Sequence, residues 1–142
     1  MKKHFFFLLN SLVIVSMLTL VAGLQQSYSQ DKDLGVGPVK SLKLDPKLDD
    51  NMISEGKSIF NSKCSVCHEL DQKKVGPPLR NITKDRTPEY IMNLLLNTEK
   101  MQQADPNVKA LIKKYNNVVM VNPQLTQPKA RSVVEYLRSV AK

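Results

Sequence analysis

The sequence predicts an all-α fold of about four helices, and three observations point there. Apolar residues recur at three- and four-residue spacing in four separate segments. Each segment opens on an acid or hydroxyl before the apolar run, three times with proline in the first turn, which is the composition of a helix start. No alternating apolar–polar run persists long enough for a strand, and no internal repeat is visible. The 142 residues, 42% hydrophobic and 24% charged, suit one domain with a modest core.

Residues 1–29 stand apart from that domain. Met1-Lys2-Lys3-His4 is basic, FFFLL follows, and a polar pair, Asn10-Ser11, precedes an apolar run from Leu12 to Gly23. This is the layout of a secretory signal peptide. Ser27 and Ser29 supply the small residues for a cut before Gln30, with Ala22-Gly23 a second option; no cysteine stands nearby for a lipid anchor. Retention as an uncleaved membrane anchor is the alternative, because the run approaches the roughly 20 residues a spanning helix needs. Both readings place the rest of the chain in the periplasm, outside the inner membrane.

Residues 30–50, QDKDLGVGPVKSLKLDPKLDD, carry two glycines, two prolines and many charges without a period, and read as a linker or extended arm. The domain proper is expected over residues 51–142. Asp49 or Asp50 caps a first helix running towards Lys63, with Ile53, Gly56, Ile59 and Phe60 on one face. A glycine there costs about 1 kcal/mol against alanine, which is tolerable where another helix approaches closely. Gly76-Pro77-Pro78 marks a loop. Thr87-Pro88-Glu89 starts the second helix, with Ile91, Leu94 and Leu95 inward. Asp105-Pro106 starts the third, whose apolar side is Val108, Leu111, Ile112 and Tyr115. After the loop VVMVNPQL, Thr126 caps the last helix, with Val133, Val134, Leu137 and Val140 on one stripe.

Between the first two helices lies KCSVCHEL, holding both cysteines of the chain and one of its two histidines. A thioredoxin-like disulfide belongs in a βαβ setting, which is not visible here. A structural zinc site wants four ligands, and Cys64, Cys67 and His68 supply three at most, His4 being in the leader. Covalent haem fits best. Two cysteines three apart reach the two porphyrin vinyl groups as thioethers, and the next residue, His68, offers its imidazole to the iron. Export agrees, since bacteria carry out this attachment outside the cytoplasm.

A second axial ligand is then needed, and methionine is the commonest in electron carriers. After the leader the chain offers Met52, Met92, Met101 and Met120. Met52 and Met92 lie in helices among apolar neighbours and read as packing residues. Met101 stands among polar residues at a helix exit. Met120 sits in a loop, which presents sulfur without breaking a helix, and is the expected ligand.

With these residues in view, the chain resembles a class I (mitochondrial-like) cytochrome c over roughly Ile53 to Val140. Gly56, Phe60 and Cys64 match the family's G-x-x-x-F-x-x-x-C pattern, and VVEYL resembles its C-terminal partner segment, with Val133, Tyr136 and Leu137 in the contacting places. Val75-Gly76-Pro77-x-Leu79 resembles the G-P-x-L loop, which implies that the Pro77 carbonyl orients His68. The resemblance also places the distal methionine late in the chain, where Met120 stands. Three features depart from the pattern, and the first is that the loop from His68 to Gly76 is short. Val121-Asn122 intervenes before Pro123, where the family has proline directly after the methionine. No tryptophan is present for the haem propionates, leaving Arg80, Asn81, Lys84 and Arg86 as candidates.

The resemblance implies a monohaem electron carrier, not an enzyme. Dihaem peroxidases need two attachment motifs and this chain has one. A gas-binding or sensory cytochrome becomes the reading if Met120 is not a ligand, and a subunit tethered in an oxidase or reductase complex is the other alternative. The formal net charge of +8 suits acidic redox partners, with Lys73, Lys74, Lys100, Lys113 and Lys114 as a steering set. An exported protein rarely meets nucleic acid, so none is expected as partner.

Overall fold

The structure, a computed structural model, describes residues 34–142, so the leader read over residues 1–29 lies outside it. Six α-helices occur among the described residues: α1 Asp50–Ile59, α2 Ile82–Asp85, α3 Pro88–Leu96, α4 Thr98–Ala104, α5 Pro106–Lys114 and α6 Gln127–Val140. A π-helical turn, Phe60–Cys64, continues α1 without a break. The four expected helices are α1, α3, α5 and α6. The two short ones, α2 and α4, span four and seven residues, too few to show a helical period in sequence.

The start signals act largely as read. Asp49 accepts from the Met52 amide at 3.0 Å, and Thr87 Oγ1 accepts from the Tyr90 amide at 3.1 Å. Asp105 does two jobs, accepting from the Val108 amide at 2.9 Å and from the Tyr90 hydroxyl at 2.7 Å. Thr126 holds the cap position of α6, but its hydroxyl makes no capping bond. Pro128 in the first turn has no N–H to satisfy, which lessens the need for one.

The core is built where α6 crosses α1. A Cβ placed on Gly56 would stand 2.0 Å from the Ser132 carbonyl oxygen, so only glycine lets the two backbones approach this closely. One turn on, Phe60 and Tyr136 pack ring to ring at 5.4 Å. Val133, Val134 and Leu137 of α6 then meet Ile91, Met92 and Leu95 of α3, together with Cys64. A smaller cluster joins Tyr90, Met101 and Val108. Leu111, expected inward, is instead exposed: α5 packs chiefly on α4 and needs only the narrow stripe of Val108 and Ile112.

Residues 34–49 have no helix, yet they do not hang free of the domain. Val39 is 4% exposed and belongs to the main core. The buried Asn93 side chain on α3 accepts from the Val39 amide at 2.8 Å and donates to the carbonyls of Leu34 and Val39 at 2.8 and 2.9 Å. Glu89 accepts from the Leu42 amide, and Arg138 donates to the Asp45 carbonyl. Gly35 and Gly37 are required by close approach, since a Cβ would meet the Met101 side chain at 2.6 Å and Asn93 at 2.3 Å. An extended segment exhausts few of its backbone bonds internally, and here α3 and α6 supply the partners.

Candidate haem-binding site

The π turn delivers the motif. The Ser65 amide reaches back five residues to the Phe60 carbonyl at 2.9 Å, and the Cys67 and His68 amides both bond the Cys64 carbonyl, at 3.1 and 2.9 Å. Such an extra residue in a helix commonly marks a functional site. Here it turns Cys64 into the core while leaving Cys67 exposed. The cysteines are unbridged. Burial pushes the Cys64 thiol above its ordinary range, with the charge of Lys63 pulling the other way.

His68 is fixed by the loop that follows it. Its Nδ1 lies 2.8 Å from the Pro77 carbonyl oxygen, the contact implied by the resemblance. A carbonyl there accepts from Nδ1–H, which fixes the tautomer and leaves the Nε2 lone pair available to a metal. Gly76 makes this approach possible: its amide bonds the Cys67 carbonyl at 2.8 Å, and a Cβ on it would stand 2.4 Å from His68 Cε1.

Two of the four methionine sulfurs are committed elsewhere. Met92 is fully buried in the main core. Met101 is also fully buried, and its Sδ accepts from the Val36 amide of the arm at 2.9 Å. Met120 is half-buried in the loop before α6 and packs against the cluster that contains Cys64. That loop is tied to α4 at two points: Gln102 Nε2 donates to the Met120 carbonyl at 2.9 Å, and Asn122 Nδ2 lies 3.0 and 3.1 Å from the Glu99 carboxylate oxygens. The sequence reading missed Gln102, Glu99 and Asn122 because α4 was not expected.

The four propionate candidates face other partners. Arg80 pairs with Asp71 and donates to the Val140 carbonyl at 2.9 Å. Asn81 accepts from the Lys142 amide, Lys84 Nζ bonds the Lys142 carbonyl oxygen, and the Arg86 guanidinium sits 5.1 Å over the Tyr90 ring. The first three thus hold the C-terminus. The steering lysines are all exposed. Lys74 Nζ donates to the Ser65 carbonyl within the motif, and Lys73 lies 5.1 Å over the ring of Tyr115, next in chain to Lys113 and Lys114.

No group of three His, Cys, Asp or Glu side chains able to hold a metal ion occurs among the described residues. The arrangement fits a covalently attached haem instead: two unbridged thiols a turn apart, an imidazole with one nitrogen bonded to a backbone carbonyl, and a glycine that leaves room for the ring. A C-x-x-C-H site on an all-α domain defines a c-type cytochrome.

The cytochrome c family model matches residues 53–141, well over half of the chain. The chain belongs to the cytochrome c family, class I, and its cofactor is haem c held through Cys64 and Cys67. Among solved structures it is similar to a cytochrome c from Rhodothermus marinus, at 39% identity and a TM-score of 0.73, covering 80% of this chain and 95% of that one. An engineered form of the Rhodothermus protein, bound to a carbene intermediate, matches at 39% identity and a TM-score of 0.70 over 80% and 96% of the two chains. A cytochrome c domain from Pseudomonas putida is more distant, at 27% identity and a TM-score of 0.54 over 59% and 85%. No curated protein sequence matches.

Proposed function

We propose that this chain is a periplasmic monohaem electron carrier whose iron is held by His68 and Met120. The bound haem supplies one-electron redox chemistry at its iron. Around it, Pro77 holds the His68 tautomer through the 2.8 Å contact at Nδ1, and that bond is the observation that carries the reading. A fixed imidazole keeps the same ligand geometry in both redox states, so little of the protein has to move. Met120 supports the axial role by its place, half-buried in a loop packed against the cluster that contains Cys64, whereas Met52 lies within helix α1 and Met92 and Met101 are fully buried in the core.

Met120→Ala tests this. The ferric protein is expected to lose its far-red sulfur-to-iron absorption, and the reduced variant to bind carbon monoxide rapidly. Retention of the absorption would remove Met120 and favour the gas-binding reading. The lysines supply the docking part of the proposal. Lys73 and Lys74 lie beside the motif, and the contact of Lys73 with Tyr115 gathers them towards Lys113 and Lys114. Electron transfer to an acidic partner should therefore slow steeply between low and physiological salt, as exposed charges are screened. A flat salt profile in stopped-flow would refute steering.

A further inference from the structure

The loop bearing Met120 lacks the proline directly after methionine that would stiffen it, and its backbone bends sharply at both ends. Asn116 and Asn117 both have φ of 59°, a left-handed conformation that asparagine tolerates, and Gln124 has φ of 52°, which few non-glycine side chains other than asparagine and aspartate adopt. Such a loop needs outside support to keep one shape. α4 provides it. Gln102 Nε2 holds the Met120 carbonyl itself. Asn122 is the corner piece: its Oδ1 accepts from the Gln124 amide at 2.8 Å, and its Nδ2 turns to Glu99 on α4. α4 is in turn seated by the arm, through the Val36 amide on Met101 Sδ and Asn97 Nδ2 on the Val36 carbonyl at 3.0 Å.

We infer that Gln102 and the Asn122–Glu99 pair are positioning residues that hold the Met120 sulfur at the haem, with α4 as their frame. The inference rests on Met120 being the second axial ligand. Neither contact touches the sulfur; both fix the backbone that carries it. Freeing either one lets the loop sample displaced positions, so an external ligand competes better for the iron.

The test uses the full-length ferric holoprotein, with imidazole titrated as the competing ligand and the far-red absorption followed. Gln102→Glu keeps the shape of the side chain but replaces the donor by a carboxylate oxygen facing the Met120 carbonyl. Asn122→Asp keeps the acceptor for Gln124 and sets a second carboxylate against Glu99. Each is expected to raise imidazole affinity roughly tenfold, the scale of one lost hydrogen bond. Adding Glu99→Gln to Asn122→Asp recreates a donor–acceptor pair in reverse, and should return the affinity to within about twofold of the parent. Unchanged imidazole affinity in both single variants, with only a lowered melting temperature, overturns the positioning role while leaving Met120 as ligand. Met120→Ala separates the two failures: if it keeps the far-red absorption and the parent imidazole affinity, the ligand assignment itself falls, and the inference with it.

Discussion

Gly56 and Gly76 show how single missing side chains set the site. At Gly76 the neighbour is an imidazole ring, at 2.4 Å from a notional Cβ; at Gly56 it is a backbone carbonyl, at 2.0 Å. A ring pivots about its own bonds, whereas a carbonyl moves only with its helix. Gly56→Ala should therefore be the costlier change for stability, about 3 kcal/mol at the upper end of overpacking effects. Any helix-propensity gain, about 1 kcal/mol, is too small to offset that. Denaturant unfolding of the holoprotein measures it, and a neutral or stabilising result would mean that α1 and α6 do not meet as closely as described.

At the scale of elements, the decisive feature is the arm over residues 34–49. Its sequence carries the composition of a linker, and nothing local distinguishes a segment that hangs free from one that lies in a groove. The partners come from Asn93, 54 residues away from Val39. Asn93 is fully buried and uses both ends of its amide on the arm. Asn93→Ala leaves the buried Val39 amide without its acceptor, and should cost about 2–3 kcal/mol. Faster exchange of the Val39 amide in hydrogen-exchange measurements would accompany the loss. Equal stability and unchanged exchange would show that the arm needs no clasp.

For the molecule as a whole, Glu135 joins the start of the chain's helices to their end. It is 1% exposed on α6, pairs with Arg131 at 2.5 Å and Arg138 at 2.8 Å, and accepts from the Asp49 amide at 3.2 Å. Burial by itself works against its charge, but the bonds from Arg131, Asp49 and Arg138 together outweigh burial and hold its carboxyl below the usual glutamate range. A depressed folded value adds stability that is fully present above the unfolded value, about 4.3, and is lost as pH falls through the folded one. Glu135→Gln should cost about 2 kcal/mol near neutrality, below the usual cost of breaking a fully buried pair because both arginines reach solvent. The gap between parent and variant should close in acid. A gap independent of pH would mean that the charge of Glu135 contributes nothing.

The chemistry was legible because it is written contiguously: Cys64, Cys67 and His68 fall within five positions, and the Gly76-Pro77 loop follows at a short interval. The four longer helices were legible because each spans at least two turns and repeats its apolar residues with the helical period. What stayed hidden were contacts whose partners are far apart in the chain or whose elements are too short to repeat. The arm, the short α4, the commitment of Met101 to Val36 across 65 residues, and the grip of α4 on the Met120 loop all belong to that class. Local periodicity reports which face of a segment is apolar. Which segment meets that face is settled only when the whole chain has packed, and the seating of the Met120 loop against α4 rests on that packing.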